Sequence, residues 1–141
     1  MTTHSGTCMC GNIKYTIAAE PIVSRICWCK DCQKISANGT VNFIVPRDAI
    51  QHSGELSQYS KISDNGNQVT RHFCSHCGTH LFADSSARPQ FSVVRTGTLD
   101  NPSSIRPTAN IWTGSAPEWA CMDTSLEMAE RQPAPPQQPQ K

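Results

Sequence analysis

The sequence lacks the long apolar run that a membrane-spanning segment requires. Its longest uncharged apolar stretch falls far below the roughly 18 residues that cross a bilayer. The first residues, MTTHSGTCMCG, contain neither the basic nor the apolar segment of a secretory signal. With a formal net charge of +1, the chain also lacks the basic excess of a protein that binds nucleic acid or anionic lipid. We therefore predict a cytoplasmic protein that binds neither membrane nor nucleic acid.

Several catalytic motifs and most helix signals are missing as well. There is no nucleophile elbow, phosphate loop, dinucleotide fingerprint or H-E-x-x-H. Only Lys30–Ser36 and Pro117–Cys121 are predicted as helical turns. The remaining chain shows short segments rich in Val, Ile, Thr, Phe and Tyr, separated by Gly, Asn, Asp and Pro. The predicted strands are Ile13–Ala18, Ile22–Trp28, Thr40–Val45, Leu56–Ile62, Gln68–Phe73, Thr79–Ala83, Phe91–Thr96 and Ala109–Trp112. This pattern predicts a mainly β fold with few short helical turns.

The C-terminal segment differs in composition from the rest of the 141-residue chain. From Arg131, RQPAPPQQPQK contains four prolines and four glutamines. Such a segment cannot bury enough apolar surface to offset the entropy lost on ordering. We predict one domain at residues 1–130, a normal size for a single domain, and a disordered Pro/Gln-rich tail at residues 131–141.

Eight cysteines are the exceptional feature of what is present. Disulfides would suit a small secreted domain, but without a secretion signal metal binding is the better explanation. Seven of the cysteines form the three tight groups C-M-C, C-W-C-K-D-C and C-S-H-C. Each group places two or three thiolates within one local turn, as zinc coordination requires. A glycine follows Cys10 and another follows Cys77, and each suits a turn with positive φ.

The number of ligands predicts how these cysteines divide. Four protein ligands close a structural zinc site, whereas three leave one position for water or substrate. The two pairs together make four ligands, and the central run makes three. The predicted structural zinc site is Cys8, Cys10, Cys74 and Cys77, and the predicted functional site is Cys27, Cys29 and Cys32. A single cluster of all seven, or an iron–sulfur centre, is the alternative.

Other candidate residues are assigned simpler roles. Cys121 is isolated, so we interpret it as a packed small residue and not as a ligand. His72, His76 and His80 flank or lie within the last cysteine pair, where each is either a surface residue or a hydrogen-bond partner of the site. Trp28 is predicted to be a packing side chain, with a pocket wall as the alternative.

The segments GTCMCGNIKY, CWCKDCQK, RHFCSHCGTHL, RTGTLD and PTANIWTGSAPEW run in order from Gly6 to Trp119. They resemble the glutathione-dependent formaldehyde-activating (GFA) family, which shares its domain with centromere protein V (CENP-V). The resemblance implies a β-tent zinc fold of antiparallel sheets, similar to the Mss-type Rab chaperones. It also implies the same division of the seven cysteines, with two zinc ions per chain as the cofactor.

Two positions depart from the pattern of that family. The central run usually reads C-H-C, where this chain has Trp28, and a later histidine is replaced here by Asn110. Neither position is a predicted zinc ligand. The departures therefore affect the expected substrate and leave the expected metal binding unchanged.

Two functions follow as hypotheses. The first is a carbon–sulfur lyase-type enzyme that acts on an adduct of a small thiol such as glutathione, with Cys27, Cys29 and Cys32 acting through the bound zinc. The second is a non-catalytic zinc-stabilised β module that binds a protein partner. A zinc ribbon on nucleic acid is disfavoured, because seven thiolates and two Zn²⁺ ions change the formal charge from +1 to −2.

Overall fold

Two sheets of unequal size form the protein, in a computed structural model that describes residues 3–134. The strands are β1 (His4–Thr7), β2 (Lys14–Ile17), β3 (Val23–Cys27), β4 (Thr40–Pro46), β5 (Ile50–Ser53), β6 (Leu56–Ile62), β7 (Gln68–Cys74), β8 (His80–Ser85), β9 (Phe91–Arg95), β10 (Ala109–Ile111) and β11 (Glu127–Ala129). The helix α1 spans Lys30–Ser36, and four short 3-10 turns complete the regular structure. The predicted mainly β class is confirmed.

The small sheet has the order β1-β2-β5, and the large sheet has the order β11-β10-β3-β4-β9-β8-β7-β6. Neighbouring strands are antiparallel, as expected, except that β10 runs parallel to both β3 and β11. Parallel neighbours require a long connection between them. Here the chain between β3 and β10 supplies that connection: it forms β4 and β6 to β9 of the large sheet and β5 of the small one.

All eight predicted strands are present, and the predicted bounds Leu56–Ile62 and Lys30–Ser36 match residue for residue. The sequence pattern missed the short strands β1, β5 and β11. Strands of three or four residues give too few alternating positions to be recognised. The helical turn predicted at Pro117–Cys121 is a single hydrogen-bonded turn that does not extend into a helix, closed by Ala120 N donating to Pro117 O at 3.0 Å.

Local capping explains why α1 begins and ends where it does. The Cys29 side chain caps its first turn by accepting a hydrogen bond from Cys32 N, and Asp31 supplies a favourable negative charge there. Ala37 adopts a left-handed conformation with φ of 62° and donates its N–H to Gln33 O. A helix of seven residues is unstable alone, so contacts with the large sheet stabilise it.

The main core lies between the two sheets. Tyr15 of β2 packs edge to face on Phe82 of β8, with ring centroids 5.1 Å apart. Gly6 faces this tyrosine from β1, where a Cβ would lie 2.3 Å from the Tyr15 ring, so only glycine fits. The buried residues of this core include Cys8, Ile13, Ile17, Phe43, Val45, Cys74, Leu81, Val94, Leu99 and Ile105.

A second, smaller cluster is formed by α1, β10 and the end of β3. Its buried members are Cys27, Cys32 and Ile111, and Trp112 packs against them. Trp112 also holds the start of the predicted tail: its N donates to Arg131 O at 3.4 Å and its Nε1 donates to Gln132 Oε1 at 3.0 Å. Most of the predicted tail, residues 135–141, lies outside the described residues. Among residues 3–134, no helix is long and apolar enough to span a membrane.

Candidate metal centres

Four cysteines from two distant parts of the chain meet at one end of the core. Cys8 and Cys10 lie between β1 and β2, whereas Cys74 ends β7 and Cys77 lies in the turn between β7 and β8. Their sulfurs lie within 4.8 Å of one another. Cys10 Sγ is 3.6 Å from Cys8 Sγ and 3.8 Å from Cys74 Sγ. Sulfurs on a tetrahedral zinc lie roughly 3.8 Å apart, so this four-cysteine group fits such an ion.

Backbone N–H groups surround the sulfurs of the four-cysteine group. Cys8 Sγ accepts from Ile13 N at 3.2 Å, and Cys74 Sγ accepts from His76 N and Cys77 N at 3.4 and 3.5 Å. Such donors favour the thiolate form, which is the form that binds metal. The two turns that present these donors contain Gly11 at φ of +81° and Gly78 at φ of +79°. The expected positive φ after each cysteine pair is thus observed.

Thr79 is a contact that the sequence analysis missed. Its hydroxyl accepts from Met9 N at 3.1 Å and lies 3.1 Å from Cys77 Sγ, so it links the two cysteine pairs. Because Met9 N donates to a lone pair of the Thr79 oxygen, the hydroxyl proton of Thr79 is free to point at Cys77 Sγ. The side-chain and backbone hydrogen bonds of Thr79 lower the pKa of Cys77 to about 5. In the sequence, Thr79 directly follows the C-S-H-C-G motif. A hydroxyl residue so close to two metal-ligand candidates could have indicated a hydrogen bond to a cysteine sulfur.

The other three cysteines lie close together around the start of α1, on a different side of the large sheet from the main core. Cys27 ends β3, Cys29 caps the helix and Cys32 lies within it. Their sulfurs also lie within 4.8 Å of one another, and Cys27 and Cys32 are buried. Within residues 3–134, no fourth cysteine, histidine or carboxylate joins this three-cysteine group. Three ligands of this kind could hold a metal ion and leave one position for another molecule.

The three thiols share their protons unequally. Hydrogen bonds with Cys29 and Cys32, together with burial, raise the pKa of Cys27. Hydrogen bonds from Cys27 and Cys29 lower the pKa of Cys32 to about 2, and the charges of Arg95 and Arg71 lower it further. These hydrogen bonds and the two arginine charges favour a thiolate at Cys32, and the thiolate is the form that binds metal.

Trp28 and Asn110, the two positions that depart from the family pattern, contact each other. Trp28 Nε1 donates to Asn110 Oδ1 at 3.3 Å, and Asn110 Nδ2 donates to Asp123 O at 3.2 Å. Trp28 is 2% exposed, as expected of a packing side chain. Gln33 Nε2 donates to Trp28 O at 2.7 Å and to Ser115 O at 3.0 Å. These bonds fix the loop that carries Cys27 and Cys29 against β10 and the turn that follows it.

Cys121 belongs to neither group, in agreement with its interpretation as a non-ligand. Its predicted packing in the interior is wrong, because the residue is exposed. The cause is local: Cys121 lies in an irregular segment between β10 and β11, where no strand or helix covers it.

The three histidines near the last cysteine pair differ in their surroundings. His76 is exposed and contributes only its backbone N–H to Cys74. His72 Nε2 lies 2.7 Å from Asp84 Oδ2, away from both cysteine groups. The His80 ring stacks on Phe73, with centroids 5.2 Å apart. None of the three belongs to a metal-ligand group in the described part of the chain.

The family model for the glutathione-dependent formaldehyde-activating enzyme matches residues 3–115, a span that contains all seven grouped cysteines. The chain belongs to the GFA family. The resemblance seen in the cysteine motifs is thereby confirmed.

The chain is also similar to a curated protein and to a solved structure. A Halomonas elongata protein, named provisionally as a glutathione-dependent formaldehyde-activating enzyme, is 22% identical over 121 residues, which cover 81% of this chain and 77% of that protein. A crystal structure of a Rhodobacter sphaeroides protein superposes with a TM-score of 0.57 at 20% identity, covering 71% of this chain and 93% of the other. At 20% identity, the similarity to the Rhodobacter structure shows the fold alone.

Proposed function

We propose that this GFA-family protein is a carbon–sulfur lyase-type enzyme that forms or cleaves an adduct of a small thiol such as glutathione. The observation that carries the proposal is the three-cysteine group, which gathers three metal-ligating sulfurs and no fourth ligand among residues 3–134. The four-cysteine group is complete and has no position for a substrate. The name of the family and of the Halomonas relative supports glutathione as the thiol.

We infer zinc at both groups because both donor sets are all-thiolate and the sulfurs of each lie within 4.8 Å of one another. Cys8, Cys10, Cys74 and Cys77 would hold a structural zinc ion, and Cys27, Cys29 and Cys32 a functional one. When bound to three thiolates, zinc would supply a position where a fourth thiolate stays deprotonated at neutral pH and available for reaction.

The reaction class needs no oxidant or reductant. Addition of a thiol to formaldehyde forms one carbon–sulfur bond, and the sulfur's proton ends on the former carbonyl oxygen, which gives an S-hydroxymethyl thioether. The reverse step breaks the same bond and releases the thiol and the aldehyde. Both directions require the sulfur to be held as a thiolate near the carbon.

The chain's own residues hold this site in a fixed geometry. Cys32 N donates to Cys29 Sγ at 3.3 Å, and Thr40 Oγ1 donates to Cys32 O at 2.8 Å, which anchors the helix to β4. Gln33 joins the cysteine loop to the turn at Ser115. A rigid set of ligands on regular structure favours a defined substrate pose, which accelerates reactions by orientation.

Cobalt substitution gives a direct test of thiol binding at the three-cysteine group. Adding millimolar glutathione should strengthen the thiolate-to-cobalt charge-transfer bands. Cys29→Ser should abolish both this response and turnover of S-hydroxymethylglutathione without unfolding the protein. Cys121→Ser is the matched control, because it removes an exposed cysteine outside both groups.

Unchanged cobalt spectra at millimolar glutathione, together with no turnover across a panel of S-conjugates, would contradict the proposal. That result would favour the non-catalytic β module that binds a protein partner.

A further inference from the structure

Trp112, which directly follows β10, has a backbone conformation that a bulky residue rarely adopts. Its φ of 58° and ψ of 36° lie in the left-handed region. Among the described residues other than glycine, only Ala37 at the end of α1 shares a positive φ. Glycine and asparagine enter this region at a much lower cost than tryptophan. Such a conformation persists only where its surroundings fix it, and it is most frequent at functional sites.

Hydrogen bonds to residues 130–132 fix this conformation. Trp112 N donates to Arg131 O at 3.4 Å, and Gly114 N, in the turn that follows, donates to Glu130 O at 3.3 Å. The indole Nε1 donates to Gln132 Oε1 at 3.0 Å. Both the backbone of this residue and the polar edge of its ring are therefore held. Residues 130–132 follow the span 3–115 that matches the GFA family, so membership of the family does not imply these contacts.

The indole that is held in this way packs against the three-cysteine group. Trp112 contacts the small cluster that contains Cys27 and Cys32, and it is only partly buried there. The turn after Trp112 is also tied to the cysteine loop, because Gln33 Nε2 donates to Ser115 O at 3.0 Å. An aromatic ring that keeps an exposed part beside three metal-ligand candidates is a surface that a molecule bound there would contact.

We propose that Trp112 is a specificity-determining residue that forms one wall of the open position at the three-cysteine group, and that residues 130–132 hold this wall. The inference rests on the proposed function, since it presumes that a thiol binds at this position. A fixed indole limits the room around the carbon that is bonded to the thiol sulfur. The site should therefore accept thiols with an unbranched carbon there and reject thiols with a branched one.

Two uncharged thiols that differ in branching test the wall. Ethanethiol has an unbranched carbon at the sulfur, and 2-methylpropane-2-thiol has a fully branched one. Each is titrated into the cobalt-loaded protein, with glutathione as a third ligand, and the thiolate-to-cobalt charge-transfer bands report binding. Expressed per thiolate, the wild-type protein should bind ethanethiol roughly tenfold or more tightly than the branched thiol. This comparison in the wild-type protein does not depend on the folding of a variant.

Substitutions then assign the discrimination to the indole. Trp112→Asn removes the ring and introduces a residue that tolerates the left-handed backbone, so the variant should stay folded. It should bind 2-methylpropane-2-thiol roughly tenfold more tightly than the wild type does, with a far smaller change for ethanethiol. Trp112→Phe keeps an aromatic ring and should preserve most of the discrimination. Trp119→Asn is the matched control, because it removes a tryptophan that is 70% exposed.

Two truncations test whether residues 130–132 hold the wall. Deletion of residues 131–141 removes the hydrogen bonds from Trp112 to Arg131 and Gln132. The ratio of the two affinities should shift in the same direction as in Trp112→Asn, by a smaller factor. Deletion of residues 135–141 keeps both bonds and is the matched control. A general loosening of the site would weaken both thiols together, whereas loss of the wall changes their ratio.

The outcomes separate this inference from the proposed function. If glutathione binds, equal wild-type affinities for the two thiolates, or an unchanged ratio in Trp112→Asn, would overturn the wall and leave the proposed function standing. A shift in Trp119→Asn as large as in Trp112→Asn would overturn the assignment to Trp112. An unchanged ratio after deletion of residues 131–141 would overturn the role of residues 130–132. No spectral response to any of the three thiols would overturn the proposed function, and the wall with it.

Discussion

The two cysteine groups differ in how they are built into the fold. The four-cysteine group joins residues that are far apart, since Cys10 and Cys74 are 64 positions apart in sequence. Two of its members, Cys8 and Cys74, belong to the core between the sheets. The three-cysteine group comes from six consecutive positions at the end of β3 and the start of α1. One group connects the two sheets, and the other is local.

This difference separates stability from chemistry. A metal ion that links distant segments stabilises the folded state against the large entropy of the open chain. A metal ion held by one short loop and helix closes almost no additional loop, so it contributes less to the stability of the whole domain. Under the proposed function, the local group keeps a position for substrate without weakening the fold. We expect experiments that disturb each group to separate these two roles.

The largest difference is expected between Cys74→Ser and Cys32→Ser. Cys74→Ser should unfold the protein, because a structural zinc site supplies roughly 10–16 kcal/mol of apparent binding free energy, as much as the whole stability of a typical domain. Cys32→Ser should leave the protein folded. Circular dichroism and thermal melts of the two variants measure this difference. Equal melting temperatures would contradict the assignment of roles.

Gln33→Ala is a milder change that should affect the three-cysteine group alone. Gln33→Ala removes the two hydrogen bonds that hold the cysteine loop to Ser115. We expect the free energy of unfolding to fall by about 1–2 kcal/mol and metal loss from the three-cysteine group to become faster. Gln51→Ala, an exposed glutamine on β5, is the control. Faster metal loss from the four-cysteine group in Gln33→Ala would argue against separate sites.

Asp84 on β8 should make the stability of the large sheet depend on pH, separately from any loss of metal. Burial alone would raise the pKa of Asp84, but hydrogen bonds with His72 and Ser92 and the charge of Arg47 outweigh it and lower that pKa. Because the folded-state pKa is depressed, Asp84 stabilises the fold above the ordinary carboxyl pKa, and this contribution disappears as the pH falls through the lower folded value.

Asp84→Asn should therefore lower stability at pH 7 by about 1 kcal/mol and make stability less dependent on pH below about 4. Urea unfolding at several pH values measures both effects, and Asp48→Asn, an exposed carboxylate, is the control. An acid limb that is as steep in Asp84→Asn as in the wild type would mean that another group carries the dependence.

The smallest effect is expected at the C-terminus. Deletion of residues 135–141 should leave the melting temperature unchanged, since that segment is rich in proline and glutamine. Deletion of residues 131–141 also removes the two hydrogen bonds to Trp112 and should cost about 1 kcal/mol. Melts of both truncations test this, and a drop of several degrees for the shorter deletion would indicate that the tail packs on the domain.

The cysteine groups and most strands were accessible from the sequence because local spacing determines them. Three short motifs and the count of four and three ligands predicted which sulfurs meet, and alternating apolar residues predicted strands such as Leu56–Ile62. The partners of these motifs were not accessible. Thr79 and Gln33 act through side-chain hydrogen bonds to distant segments, and Arg71 and Arg95 share a face only because β7, β8 and β9 are neighbours in the sheet. Such contacts depend on the order of the strands in the sheet, which the spacing of residues along the sequence does not predict.

The most direct test of two unequal metal sites is the release of zinc to a chromophoric chelator. The wild-type protein, purified without chelators, should release two zinc ions per chain in two phases of equal amplitude. Cys29→Ser should remove only the fast phase, and Cys121→Ser should remove neither. One zinc ion per chain, a single phase, or iron in place of zinc would contradict the account.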